Sequence, residues 1–129
     1  MSLEFKFHPK KAVEAAATLL KLNGNSMRHL ALMKMLYISD RIALDELEQA
    51  ISGGHYVSMR FGPVLSEVYD LMKYKAVSDL SLWKTYISPR NGHFVELLAD
   101  PGNDDLCEAE EDILRFVYAN HGHLDPFEV

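Results

Sequence analysis

Lys34-Met35-Leu36-Tyr37-Ile38-Ser39-Asp40-Arg41, followed by Gly53-Gly54-His55-Tyr56, then Phe61-Gly62-Pro63-Val64 and Glu67-Val68-Tyr69, is the stretch that decides how this chain folds. Its first segment lies in a helix predicted from about Met27 to Glu48. There Leu30, Met33, Leu36, Tyr37, Ile38, Ile42, Leu44 and Leu47 surround most of the cylinder, the pattern of a central, well-buried element. Gly53-Gly54 interrupts it, and residues 55–60 read as a short extended segment or an irregular connector. Gly62-Pro63 then reads as a helix start, because proline loses no N–H that a first helical turn would use. Leu65, Val68, Tyr69 and Met72 at i, i+3, i+4 and i+7 supply the apolar stripe of that third, short helix.

Working outward, the first helix begins at Pro9 and carries Ala12, Val13, Ala16, Ala17 and Leu20 inward. Asn23-Gly24 supplies a left-handed C-terminal cap, and Ser26 is placed to cap the central helix. Residues 82–88 and 93–98 flank Pro89-Arg90-Asn91-Gly92, and Asn-Gly favours a tight turn, so a two-stranded hairpin packed on the helices through Trp83 is expected. A last helix runs from about Glu108 to Asn120 with Ile113, Phe116 and Val117 inward and Gly122 at its end, before Asp125-Pro126 opens a fresh turn. The expected fold class is mainly α: one compact helical domain, residues 1–129, with a small β-hairpin.

Composition excludes several functions. The chain is 129 residues long with 48% hydrophobic content, enough for a core. It has no apolar run of the length a membrane helix needs and no signal-peptide pattern, since Lys6, Lys10 and Lys11 interrupt the N-terminal region. The lone Cys107 has no internal disulfide partner, so a cytoplasmic location is expected. The net charge of −6 argues against a broad phosphate-binding face. Seven of the acids fall within residues 100–112 without a Lys or Arg, which leaves the remainder of the chain at +1. That acidic run is either a docking surface for a basic partner or the ordinary acid preference of a helix N-terminus.

Catalytic and metal patterns are weak. His121-Gly122-His123 with Asp125 lacks zinc-ligand spacing, and three or four convergent ligands are needed. Cys107 is better placed as the cap of a box with Glu110 than as a nucleophile, because the acids around it disfavour a thiolate and no base is near in sequence. No phosphate loop or nucleophile elbow occurs, so neither cofactor nor catalysis is expected.

Lys34, Leu36, Tyr37 and Asp40, then Gly54 and Tyr56, then Gly62-Pro63-Val64 and Tyr69, occur in an order that resembles the Panacea domain family, whose SocA-like members are antitoxins of bacterial and phage genomes. Leu106-Cys107-Glu108-Ala109-Glu110 stands where that family has a Leu-Ser-Glu-rich helix start, and the resemblance spans roughly residues 11–122. Family members commonly continue with a further helix and a segment containing His and Trp, which does not occur here. The resemblance implies a binding protein whose partner is a cognate toxin, neutralised by occlusion or by presentation to a Clp-type protease. It singles out Lys34, Tyr37, Asp40, Gly54, Tyr56, Gly62, Pro63 and Tyr69 without dividing fold-holding from partner-touching residues. Arg60, Tyr56, Trp83 and Tyr86 are the candidate interface anchors, since binding energy concentrates in such side chains. Two rival readings are a winged-helix DNA-binding regulator, with Arg90 at the tip of the 82–98 hairpin, and a small hydrolase using His55 with Asp40.

Overall fold

A computed structural model describes residues 4–60, 62–75 and 77–122. The element order is β1 (Glu4–Phe5), α1 (Pro9–Leu22), β2 (Ser26–Arg28), α2 (His29–Leu47), β3 (Gly54–Met59), β4 (Gly62–Leu65), α3 (Ser66–Met72), α4 (Leu80–Tyr86), β5 (Phe94–Glu96) and α5 (Glu108–His121). The fold is mainly helical. Its antiparallel strands form two small sheets, β1-β3-β4 and β2-β5.

Helix α2 is the centre, touching α1, α3, α5, β2 and β4. Leu32, Met33, Met35, Leu36 and Ala43 are buried on it. Helix α1 begins at Pro9 as expected and ends through Asn23, with Gly24 at φ +76°. Its buried Ala12, Ala15, Ala16 and Ala17 are small enough for neighbouring helices to approach closely. The Glu110 carboxylate accepts the Cys107 amide at 3.0 Å, closing the expected capping box of α5.

Four expectations are corrected. Ser26 is not a helix cap: it lies in β2, opposite Glu96, while Met27 meets Val95. Burial of both Met27 and Val95 favours the strand and delays α2 to His29. Gly62-Pro63 does not open a helix either, because β4 pairs with β3 (Tyr56 opposite Leu65, Ser58 opposite Pro63, Met59 opposite Gly62). β4 is an edge strand, where a residue without an N–H is tolerated, and the helix waits until Ser66. The small hairpin of the fold is therefore residues 54–65, not 82–98.

Residues 82–86 belong to α4, whose Trp83 is fully buried and which packs on α1. The turn at Gly92 does form, with φ +65° and a bridge between Asn91 and Phe94, but residues 94–96 pair with 26–28 across the fold. The winged-helix layout thereby loses the hairpin it was built on. Finally, Phe116 faces outward at 58% exposure while Ile113, Leu114 and Val117 face in. Gly122 ends α5 in a right-handed conformation (φ −63°). His123, Asp125 and Pro126 lie outside the described residues.

The acidic run is largely absorbed within the molecule. Lys21 pairs with Asp100 at 2.6 Å, Lys10 with Asp105 at 3.5 Å and Lys11 with Glu110 at 2.5 Å. Burial would raise the Glu110 carboxyl, but the Lys11 ammonium and the Cys107 amide outweigh it and hold the group below its ordinary value. Two of the N-terminal lysines are thus committed to seaming α1 to α5 and the loop before it.

Candidate functional site

The residues singled out by the resemblance divide between two places reached by opposite ends of α2. Asp40, near the C-terminal half, is buried and accepts the Ser52 amide through Oδ1 and the Gly53 amide through Oδ2, both at 2.9 Å. Burial pushes its carboxyl up to about 6, against backbone donors that favour the anion. Gly53 and Gly54 take φ of +75° and +92°. A Cβ at Gly53 would stand 2.1 Å from the Lys6 carbonyl oxygen, and one at Gly54 would meet the Glu67 carboxylate at 2.4 Å.

Glu67, in the first turn of α3, accepts the His55 amide at 3.0 and 3.1 Å and faces His55 Nδ1 at 3.1 Å. These contacts tie α2, the 51–54 turn, β3 and α3 into one knot. They also correct the His55–Asp40 pairing, since the two side chains serve different partners. Tyr37 and Tyr56 pack edge to face beside the knot, with centroids 5.6 Å apart and planes at 84°. Burial raises the Tyr56 hydroxyl well above the ordinary tyrosine value.

The other place is a cleft of about 490 Å³ at the N-terminal end of α2. Four chain segments wall it. Arg28, His29 and Lys34 come from the β2–α2 junction, Met59, Arg60 and Gly62 from the hairpin, Tyr69, Met72 and Lys73 from α3 and its end, and Arg90 and His93 from the turn before β5. Leu30, Met33 and Val64 complete an apolar interior. Among the described residues, five of those lining it are Lys or Arg and none is Asp or Glu. Since the whole chain carries −6, all of it other than these five cations sums to −11.

Specific contacts fasten the 90–93 turn and orient the rim cations. The His93 carbonyl accepts both the His29 backbone N–H at 2.8 Å and the His29 ring Nδ1–H at 3.0 Å, fastening the 90–93 turn to the start of α2. Burial lowers the His29 pKa, working against the bond to the His93 carbonyl, which favours the protonated ring. Arg28 lies over the Phe94 ring at 5.4 Å, and Lys73 over the Tyr69 ring at 4.3 Å. Arg90 Nε donates to the Gly92 carbonyl at 3.2 Å. Helix α2 starts at this wall without a side-chain cap or an acid in its first turn, so its positive end adds to the field. The cleft can hold an anionic group and cover an apolar one together.

Lys34, Arg60, Gly62 and Tyr69 line the cleft. Tyr37, Asp40, Gly54, Tyr56 and Pro63 do not, and Pro63 stands on the exposed edge strand. Of the proposed anchors, buried Trp83 is withdrawn and Tyr86 packs against the core. Phe61 lies outside the described residues. Sequence reading missed Arg28, His29, Lys73 and His93, because the rim cations stand at positions 28, 34, 60, 73 and 90 and form no local cluster. One signal was present: Arg28, Lys34, Arg60 and Arg90 have no Asp or Glu three or four residues away to compensate them.

Residues 32–129 match the family described as Antitoxin SocA-like, Panacea domain. The chain belongs to that family. No curated protein and no solved structure matches it. The matched part of this Panacea domain contains the knot and most of the cleft, whereas α1 and the rim residues Arg28 and His29 precede it. Among the described residues, no group of three or more His, Cys, Asp or Glu side chains is arranged to hold a metal ion, and no helix is long and apolar enough to cross a membrane.

Proposed function

We propose that this Panacea domain is a toxin-neutralising antitoxin, acting in the cytoplasm by binding a cognate toxin protein and performing no chemistry of its own. Membership of the SocA-like antitoxin family over residues 32–129 carries this reading. Supporting it, the cleft presents binding groups, cations over an apolar interior, and the side chains considered for hydrolysis are engaged elsewhere: Asp40 with backbone amides and His55 with Glu67. Neutralisation is stoichiometric, either by covering the toxin's working surface or by presenting the toxin to a Clp-type protease.

Co-expression of the chain with the product of its neighbouring gene tests the proposal. Growth rescue with a stable co-purifying complex is the outcome for occlusion, and rescue confined to cells with an active Clp protease is the outcome for an adaptor. A toxic neighbour that is neither bound nor relieved would overturn the reading.

A further inference from the structure

We infer that the cationic cleft receives an acidic segment of the toxin, which seats a bulky apolar side chain against the methionines while its carboxylates meet the rim. This rests on the antitoxin reading and names the chemistry of the partner at this site. The first argument is charge. Among the described residues, Arg28, Lys73 and Arg90 have rings or a carbonyl as neighbours and no carboxylate within ion-pairing distance. By contrast, Lys10, Lys11, Lys21, Lys75 and Arg115 are each paired with an acid of their own chain. Arg28, Lys73 and Arg90, set in one cleft on a chain whose net charge is −6, orient an acidic partner onto this face and away from the rest.

The second argument is the interior. Met33, Met59 and Met72 line it, and the unbranched, polarizable methionine side chain adapts to differently shaped apolar groups. Met59 is 40% exposed and Phe94, under Arg28, is 46% exposed, so apolar surface continues from the cleft onto its margins. A ligand recognised by charge alone would have no use for that surface. The third argument is size: about 490 Å³ admits one or two large side chains and not a folded surface or a nucleic-acid duplex.

The test uses the full chain and the toxin from the neighbouring gene. Lys73→Glu combined with Arg90→Glu reverses two exposed rim charges. We expect toxin affinity to fall by about 30-fold or more, with strong salt dependence in the wild type, while the far-UV spectrum and melting temperature stay unchanged. A photocrosslinking residue at position 59 should join to a toxin segment rich in Asp or Glu around a large apolar residue. Unchanged affinity in the double variant, or crosslinks confined to a neutral or basic segment, would overturn the inference and leave the antitoxin reading standing. Tight binding of inorganic pyrophosphate or a single-stranded oligonucleotide, lost in the double variant while toxin affinity is retained, would reassign the cleft to phosphates. Failure of the wild type to rescue growth or to bind the toxin would instead strike at the antitoxin reading itself.

Discussion

Asp40 and Lys34 stand six residues apart on one helix and belong to different regions of the molecule. Asp40 is sealed in a knot where each carboxylate oxygen already has a backbone donor. Lys34 lines a cleft with four other cations and, among the described residues, no acid. A charge satisfied inside its own chain holds the fold together, whereas Arg28, Lys73 and Arg90, set against rings or a carbonyl on the rim of that cleft, are available to something else. The resemblance drew residues from both regions without distinction; the geometry separates them.

The sharpest way to break this contrast is Asp40→Ala. It leaves the Ser52 and Gly53 amides without acceptors, so a loss of about 3 kcal/mol in unfolding free energy is expected by chemical denaturation. Toxin protection should then fail only in proportion to the unfolded fraction. The Lys73→Glu/Arg90→Glu variant should do the reverse, keeping stability within about 0.5 kcal/mol while binding is lost. If both variants were destabilised alike, the division into knot and cleft would collapse.

Gly53 and Gly92 sharpen the point, since both adopt positive φ, at +75° and +65°. An added Cβ collides with the Lys6 carbonyl at the first and meets nothing within 4 Å at the second. The backbone cost largely cancels between them, and Gly53→Ala should be less stable than Gly92→Ala by about 2 kcal/mol. Equal melting temperatures would show that the 51–54 turn is not held as tightly as the knot requires.

The pH dependence gives a further test. Asp40 binds its proton more tightly in the fold, at about 6, than in the unfolded chain near 3.8. Its contribution therefore makes the protein more stable as pH falls through 6 toward 4, by at most about 3 kcal/mol. Glu110, held below its ordinary 4.5, acts oppositely but at lower pH. The difference between wild type and Asp40→Asn from pH 7 to 5 isolates the effect, and parallel pH profiles would refute it. The smallest change expected is Cys107→Ser at the start of α5, a gain of about 0.5 kcal/mol from a better capping oxygen.

Some of this was legible in the residues. The Pro9 start of α1, the central place of the largely apolar α2 and the Cys107–Glu110 box are local signals, read correctly because each depends on neighbours within a turn or two. The failures share a cause. Ser26 and Pro63 carry sound helix-start chemistry, yet both were claimed by strands whose partners, Glu96 and Ser58, lie on other elements. Residues 82–86 had a turn signal after them, but burial of Trp83 against α1 decided in favour of a helix.

Sequence alone therefore determined a mainly helical chain of the Panacea kind, with its central helix and the residues of its motif, because helix periodicity, caps and glycine positions are written within short windows. Only the tertiary structure decided where the strands pair, which motif residues are spent on the fold, and that five cations scattered from Arg28 to Arg90 meet in one cleft. Charges far apart in sequence acquire a common field only when packing brings them within a few ångströms, and no local pattern encodes that meeting.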